Sequence, residues 1–266
     1  MSVKAMLIDI TKCIGCRSCQ VACKSWNGLD NETTSFTNDI TNPPQMSAKT
    51  YTVVNFIETR LHDKPIWRFI KRMCMHCTDP ACASACFAKA ITKRESGAVV
   101  YDKTTCVGCR YCMLACPWWI PKYEWDSVFP AVKKCRFCID LLEHGKEPAC
   151  ATACPSAIKF GDREEMLALA KKRIAKNPDK YVQHIYGEHE AGGTNVLYLS
   201  DVPFTSLGLP AVSSEPLPKL TWDALAKVPY LAGGVGLTMT AMYLFTHRKN
   251  AVAEAQREKI IDKAGE

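Results

Sequence analysis

The chain has 266 residues, of which 47% are hydrophobic and 23% are charged, so a disordered or low-complexity protein is excluded. Its formal net charge at pH 7 is +7, but no basic stripe or nucleic-acid-binding motif accompanies it, so no nucleic acid partner is expected. The unusual feature is cysteine, which occurs sixteen times, always between Cys13 and Cys154. Such a density is typical of disulfide scaffolds or metal sites.

The beginning of the chain decides between these two uses of cysteine. Residues 1–11 contain no apolar stretch long enough for a signal peptide, and the chain has no Arg-Arg pair. We therefore expect folding in the cytosol, where thiols stay reduced and closely spaced cysteines bind metal. Residues 3–10 alternate weakly in hydrophobicity and predict a short strand that leads into the first cysteines.

The cysteines form four groups of four. The groups are Cys13, Cys16, Cys19 and Cys23; Cys74, Cys77, Cys82 and Cys86; Cys106, Cys109, Cys112 and Cys116; and Cys135, Cys138, Cys150 and Cys154. The first and third groups have the C-x2-C-x2-C-x3-C spacing of bacterial [4Fe–4S] sites. With this spacing three thiolates bind different irons of one cluster, and the fourth cysteine begins a helix and serves a second cluster.

Zinc is the competing metal for these groups. A four-cysteine zinc site needs two CxxC pairs that are far enough apart to close a tetrahedron, and the second and fourth groups satisfy this in isolation. The first and third groups place three thiols too close together for one zinc and leave one over. No CxxC is followed by histidine, which excludes covalently bound c-type haem. His76, inside the second group, is expected to pack rather than to bind metal.

The segments between and after the groups predict an alternation of strands and one long helix. The predicted strands are 50–58 and 66–70, which flank a turn at 62–65, then 98–101 and 195–200. A helix is predicted at 163–176, with Asp162 and Glu165 as its capping box. Lys171, Lys172 and Arg173 on this helix predict a solvated face. The Pro- and Ser-rich stretch at 201–220 predicts an extended linker.

Residues 228–246 contain no charged side chain and predict a membrane-spanning helix of about 28 Å. The length is borderline, so a buried glycine-rich core helix is the alternative. Ala232, Gly236 and Thr240 form a small-residue stripe on which another membrane helix can pack. The basic residues beyond this helix predict a cytoplasmic tail and an outer cysteine-rich domain, which must then be exported with a partner. These basic residues are Arg248, Lys249, Arg257, Lys259 and Lys263.

Six stretches resemble one known family: LIDITKCIGCRSCQVACKSWN (7–27), SAKTYTVVNF (47–56), CMHCTDPAC (74–82), KCRFCIDLLEHGKEPACATACP (134–155), REEMLALAKKRIAK (163–176) and GGTNVLYL (192–199). The chain resembles the four-cluster iron–sulfur subunits of respiratory molybdo- and tungsto-enzymes. Within that family it is most similar to the beta subunit of membrane-bound formate dehydrogenase. Dimethyl sulfoxide, nitrate and polysulfide reductases and hydrogenases share the four-cluster motifs in their partner subunits.

The resemblance implies an α+β fold of two ferredoxin-like 2[4Fe–4S] modules, one nested in the other, plus a single C-terminal transmembrane helix. The implied regions are a nested double ferredoxin-like region at 1–165 with its inner module at about 66–122, a helix, strand and linker extension at 166–227, an anchor at 228–247 and a basic tail at 248–266. This architecture implies four [4Fe–4S] clusters as the only cofactors.

The family also implies which cysteines share a cluster. The implied ligand sets are set a (Cys13, Cys16, Cys19 and Cys154), set b (Cys135, Cys138, Cys150 and Cys23), set c (Cys74, Cys77, Cys82 and Cys116) and set d (Cys106, Cys109, Cys112 and Cys86).

As a function, the resemblance implies that electrons pass from a catalytic subunit with a molybdenum- or tungsten-pterin cofactor to a membrane cytochrome b and quinone. No nucleophile–base motif, phosphate loop or dinucleotide fingerprint occurs, so we expect no catalysis by this chain itself. The alternatives are an iron–sulfur subunit of another respiratory oxidoreductase, a soluble polyferredoxin and a zinc-binding structural protein. A single-pass location in the cell membrane follows from the first interpretation.

Overall fold

The computed structural model describes residues 2–35 and 40–264, with side chains described as far as residue 257. Contacts divide the chain into two units, Met1–Pro218 and Lys219–Glu266. All sixteen cysteines belong to the first unit. Of the predicted basic tail, the side chains of Lys259 and Lys263 lie outside the described residues.

The described residues form an α+β arrangement of short elements. The strands are β1 (Lys4–Asp9), β2 (Val53–Leu61), β3 (Lys64–Arg72), β4 (Ile91–Lys93), β5 (Val99–Tyr101), β6 (Lys122–Tyr123), β7 (Val132–Lys133), β8 (Ile158–Asp162) and β9 (Val196–Leu199). The helices are α1 (Ser18–Trp26), α2 (Ala81–Ser84), α3 (Tyr111–Leu114), α4 (Ile139–Glu143), α5 (Ala149–Thr152), α6 (Arg163–Lys176), α7 (Leu217–Leu225) and α8 (Val228–Ala264). Three 3-10 turns lie at Ile10–Lys12, Glu190–Gly192 and Phe204–Leu207.

A three-stranded sheet joins the two ends of the first unit in the order β8-β1-β9. Strand β1 is antiparallel to β8 and parallel to β9, with Met6 opposite both Phe160 and Val196. Its residues Ala5, Met6 and Leu7 are fully buried. The strand is central and covered on both faces, and this explains why its apolar residues are consecutive instead of alternating. The predicted strands at 3–10 and 195–200 are confirmed within one residue at each end.

Strands β2 and β3 form a separate hairpin that ends in His62 and Asp63. Both residues have positive φ, +49° and +62°, which is the geometry of a two-residue hairpin turn. The turn is therefore shorter than the predicted 62–65. Lys64 and Pro65 already belong to β3, where a proline is tolerated because the strand lies at an edge.

Helix α6 has the bounds that the sequence predicts, but its predicted capping box is absent. Asp162 is the N-cap residue, yet its carboxylate accepts hydrogen bonds from Lys4 Nζ at 2.5 Å and Ser2 Oγ at 2.6 Å instead. The pairing of β1 with β8 places Lys4 directly opposite Asp162, and this cross-strand partner displaces the local cap.

The solvated face predicted for α6 is wrong for Arg173. Its guanidinium group donates to Asp9 Oδ2 at 2.9 Å, and its side chain is only 15% exposed. Asp9 is completely buried and also accepts a hydrogen bond from Tyr181 Oη at 3.0 Å. The arginine thus neutralises a carboxylate at the end of β1, immediately before the first cysteine group.

The structure differs from the predicted linker at 201–220. Residues 204–207 form a 3-10 turn, and Val202, Phe204 and Leu207 are buried in the main core. The prolines and serines suggest a linker, but the apolar residues between them pack into the core and so order the segment. The domain boundaries given above stay predictions.

The segment between Gly192 and β9 holds the second cysteine group in place. Gly193 O accepts a hydrogen bond from Thr78 N at 2.9 Å, and Asn195 N donates to His76 O at 3.1 Å. The side chain of Asn195 donates to Gly97 O at 3.0 Å. Residues far apart in sequence therefore fix the loop that carries Cys74 and Cys77.

Gly187→Ala should destabilise the first unit strongly. Gly187 has φ +100°, and a Cβ atom there would lie 2.4 Å from the backbone oxygen of Val196. We expect a loss of about 2–5 kcal/mol from backbone strain and overpacking. Gly145→Ala is the control, since Gly145 also has positive φ but no neighbour within 4 Å; it should cost about 1–2 kcal/mol. Equal apparent unfolding midpoints for the two variants would contradict the predicted clash.

The second unit contains the 37-residue α8 and all of α7 except its first two residues. Within the described residues, one helical region, Leu217–Arg257, is long and apolar enough to span a membrane, and none of its apolar window is buried. This favours membrane anchoring over a buried core helix. The hydroxyl groups of Thr238 and Thr240 donate to Gly234 O and Gly236 O at 2.8 Å, so these polar groups are satisfied inside the helix, as a bilayer requires.

Candidate metal centres

Four short helices carry cysteines and pack in two pairs. Helix α1 contains Cys19 and Cys23 and packs against α5, which contains Cys150. Helix α2 contains Cys82 and packs against α3, which contains Cys112. The first cysteine group therefore meets the fourth, and the second meets the third.

Two cavities bring together cysteines from different groups. One is lined by Cys13, Cys16, Cys19 and Cys154, the residues of set a. The other is lined by Cys86, Cys106, Cys109 and Cys112, the residues of set d. In each cavity three cysteines of one group meet the last cysteine of another.

The thiols of the other two sets are also neighbours. Cys150 and Cys138, the partners of Cys23 in set b, lie near enough for their thiolates to raise the pKa of Cys23. The pKa of Cys77 is raised in the same way by its partners in set c, which are Cys74, Cys116 and Cys82. Thiols that are distant in sequence thus lie close together in all four sets.

Several buried thiols hold their protons more tightly than a free cysteine does. Burial, and then neighbouring thiolates, raise the pKa of Cys19 to about 11 and that of Cys23 to about 12. Burial likewise raises the pKa of Cys82 to about 12. Because the thiolate is the metal-binding form, a group of buried thiols needs a strongly cationic partner to deprotonate.

A single metal ion and an iron–sulfur cluster make different demands on the thiols that bind them. Among the described side chains, in residues 2–35 and 40–257, no three of His, Cys, Asp or Glu are placed to hold one metal ion. A tetrahedral zinc site would draw its sulfur atoms to within about 4 Å of one another. Four thiols around a cavity fit a cluster in which each thiolate binds a different iron.

The first and third groups have the same loop conformation. Gly15 and Gly108 have φ of +70° and +72°, and the arginines after the second cysteine, Arg17 and Arg110, have φ of +60° and +61°. The guanidinium group of Arg17 lies 4.6 Å from the ring centre of Phe56, and that of Arg110 lies 5.1 Å from Trp125. The repeated spacing thus folds into a repeated structure.

Two buried lysines near the thiols were not singled out by the sequence. Lys71 is 2% exposed and donates to Thr52 Oγ1 at 2.7 Å. Burial opposes its charge, but the thiolates of neighbours such as Cys150 and Cys19 raise the pKa of Lys71 above its ordinary value. Lys134 is 3% exposed, and its Nζ lies 3.9 Å from Cys74 Sγ. No sequence pattern separates it from its half-exposed neighbour Lys133.

His76 packs as predicted and also contacts a cysteine of set b. Its Nδ1 accepts a hydrogen bond from Val99 N at 3.0 Å, and its ring stacks on Phe137 at 4.3 Å. Burial, with Lys134 and Lys71 nearby, holds the pKa of His76 well below its ordinary value, so the ring is neutral. With Nδ1 as acceptor, the single proton is on Nε2, which donates to Cys135 Sγ at 3.5 Å.

His76→Phe should lower the reduction potential of one centre. A hydrogen bond to a ligand sulfur stabilises the more negative, reduced state, so its loss is expected to shift the potential by about −20 to −60 mV. The measurement is a redox titration followed by electron paramagnetic resonance (EPR). His144→Phe is the control, because the ring of His144 is hydrogen-bonded to the carbonyl of Asp140 and, among the described residues, to no cysteine. Unchanged potentials in the His76 variant would refute this role.

The fold and these centres define an iron–sulfur protein, and comparisons with known proteins agree. The 4Fe-4S dicluster domain matches residues 65–163. The nitrate-inducible formate dehydrogenase iron-sulfur subunit of Escherichia coli K12 is 38% identical over 245 residues, covering 90% of this chain and 82% of the relative. The formate dehydrogenase iron-sulfur subunit of Haemophilus influenzae is 37% identical over 250 residues, 90% and 80% of the two chains.

A further relative is the hydrogenase-2 operon protein HybA of Escherichia coli O157:H7, with 37% identity over 236 residues, 77% of this chain and 72% of the relative. The chain belongs to the family of formate dehydrogenase iron–sulfur subunits. It is a non-catalytic electron-transfer subunit with [4Fe–4S] chemistry. The zinc interpretation is thereby set aside.

Proposed function

We propose that the chain carries four [4Fe–4S] clusters, one in each of sets a to d, in two ferredoxin-like modules nested one in the other. The observation that carries this proposal is the pairing of α1 with α5 and of α2 with α3, which places the outer groups together and the inner groups together. The two cavities lined by set a and by set d support the same assignment.

The sets follow one another in a row from a to d. Cys19 of set a lies close enough to Cys150 of set b for a charge on one thiolate to raise the pKa of the other thiol. The same electrostatic proximity links Cys135 of set b to Cys74 of set c. It also links Cys82 of set c to Cys112 of set d. Cys16 and Cys109, at opposite ends of this row, are the exposed cysteines. We infer that electrons enter at one end and leave at the other.

The protein contributes ligands, burial and hydrogen bonds, while bound clusters supply one-electron redox chemistry. The chain buries sets b and c among apolar side chains such as Met73, Met75 and Phe137. Water is thereby kept from the middle of the row. The exposed ends leave Cys16 and Cys109 accessible to partner proteins.

The proposed electron donor is a catalytic subunit with a molybdenum- or tungsten-pterin cofactor that oxidises formate, and the acceptor is a membrane cytochrome b that reduces quinone. Relatives named as formate dehydrogenase subunits support the donor. Similarity to HybA favours a hydrogenase as the second candidate. The apolar helix supports an acceptor in the membrane.

We also infer a single-pass location in the cell membrane, with the cluster domain outside and the C-terminal tail in the cytoplasm. Arg248 and Lys249 directly follow the apolar stretch, and such residues are enriched on the cytoplasmic side. A protease-sensitive tag fused to the C-terminus tests this. It should be resistant in intact spheroplasts and cleaved after lysis, and cleavage before lysis would reverse the orientation.

The central experiment is purification of the tagged chain from detergent-solubilised membranes without oxygen. The eluate should contain about sixteen irons per chain, molybdenum or tungsten, and formate-dependent dye reduction. If the eluate contains full iron but reduces dye with hydrogen and not with formate, the four-cluster proposal stands and the catalytic partner is a hydrogenase. About eight irons per chain would overturn the four-cluster proposal.

A further inference from the structure

Lys71 and Lys134 are buried ammonium groups without a carboxylate partner among the described residues. Lys71 Nζ donates to Thr52 Oγ1 and lies 3.1 Å from Met73 Sδ, while Lys134 Nζ donates to Val99 O and, at 3.0 Å, to Cys135 O. A buried charge with only neutral partners is strongly unfavourable. Something anionic in the assembled protein must therefore compensate both lysines.

Each lysine lies at a junction between two neighbouring cysteine sets. Lys71 lines the cavity of set a and has Cys150, Cys23 and Cys135 of set b among its electrostatic neighbours. Lys134 bonds to the backbone of Cys135 in set b, and its Nζ is 3.9 Å from Cys74 Sγ in set c. Lys134 also acts on Cys82 and Cys116 of set c.

Set d has no such neighbour within the part of the chain that the structure describes. The cation that lines its cavity is Arg110, whose side chain stacks on surface aromatic rings. Arg110 is an exposed residue, and solvent screens its charge. The row therefore has buried positive charge at its first two junctions and not at the third.

We propose that Lys71 and Lys134 are the fixed counter-charges of the electron path, which raise the reduction potentials of the centres in sets a, b and c above the values they would have without them. This inference rests on the proposed ligand sets. A reduced cluster carries one more negative charge than an oxidised one. A cation held beside it at low dielectric stabilises the reduced form more than the oxidised form. The two lysines also lessen repulsion between electrons on neighbouring centres.

The test replaces each lysine by methionine in the complex isolated from membranes, with Lys133→Met as the matched control. Lys133 is the sequence neighbour of Lys134, but its side chain is 34% exposed and faces Glu124 Oε1 at 3.4 Å. The readout is the midpoint potential of every centre in an EPR-monitored redox titration. Lys134→Met should shift the centres of sets b and c to lower potential, and Lys71→Met those of sets a and b. The centre of set d should keep its potential in all variants.

Arginine variants separate charge from packing. Lys71→Arg and Lys134→Arg keep the charge and should retain the potentials of the unmodified complex. If the methionine variants lose iron, full iron in the arginine variants supports a requirement for charge, and loss of iron there too overturns the proposal. Fully loaded methionine variants with unmoved potentials overturn it directly. Failure of the four-cluster assignment is a separate outcome, visible as missing iron or missing signals in the unmodified complex.

Discussion

A chain with both Cys13→Ala and Cys154→Ala should lose no more iron than a chain with either change alone. Both cysteines line the same cavity although they belong to the first and fourth groups, so they are expected to hold one cluster. Each single variant and the double variant should retain about twelve of about sixteen irons. Electron transfer to quinone should fall below detection in all three, because set a is one end of the row.

The complementary double variant makes this prediction decisive. Cys13→Ala with Cys23→Ala changes two cysteines of one sequence group, which the proposed ligand sets divide between two clusters. Cys23 has Cys150 and Cys138 as neighbours, not only the thiols of its own group. This chain should retain about eight irons.

An uncrossed arrangement, in which every sequence group holds its own cluster, predicts the reverse. The double variant at Cys13 and Cys154 would then lose two clusters, and the double variant at Cys13 and Cys23 would lose one. Iron analysis and the loss of individual EPR signals distinguish the two patterns. Ser156→Ala is the control beside Cys154: Ser156 lines the same cavity, but its hydroxyl donates to Lys12 O and to no cysteine among the described residues; it should retain full iron.

Ending the chain after Pro218 should convert a membrane-bound protein into a soluble one that still holds its full iron. The first unit, with all the cysteines and the three-stranded sheet, ends at Pro218. The removed part holds the apolar helix, whose uncharged stretch matches the hydrocarbon thickness of a bilayer. The measurement is fractionation of the chain expressed without partner subunits, because a membrane partner would otherwise retain it.

A point variant isolates the role of the helix from that of the deleted tail. Leu237→Arg places a charge near the middle of the apolar stretch, which costs about 2.5–3.5 kcal/mol in a bilayer. It should move a large part of the chain to the soluble fraction, whereas Lys249→Ala at the end of the stretch should not. If the truncated chain stays in membranes after an alkaline wash, anchoring by this helix is wrong.

The stability of the first unit depends on contacts between its two ends. Asp9 ends β1 and is neutralised by Arg173 of α6, and Met6 is paired with both Phe160 and Val196. The predicted strands and the helix at 163–176 could be located from local patterns alone. Their assembly into one sheet could not, because a strand pattern does not specify its partner strand.

The sequence by itself determined the metal chemistry and the family. Four regularly spaced cysteine groups predict iron–sulfur clusters because ligand spacing within a loop is a local property, and the same holds for the helix of α6 and the uncharged stretch after residue 227. The tertiary structure decided which side chains reach the sulfur atoms. The burial of Lys71 and Lys134, the proton on His76 Nε2 and the packing of residues 202–209 depend on neighbours that are distant in the chain. Burial and partner choice are properties of the folded core, so no local pattern encodes them.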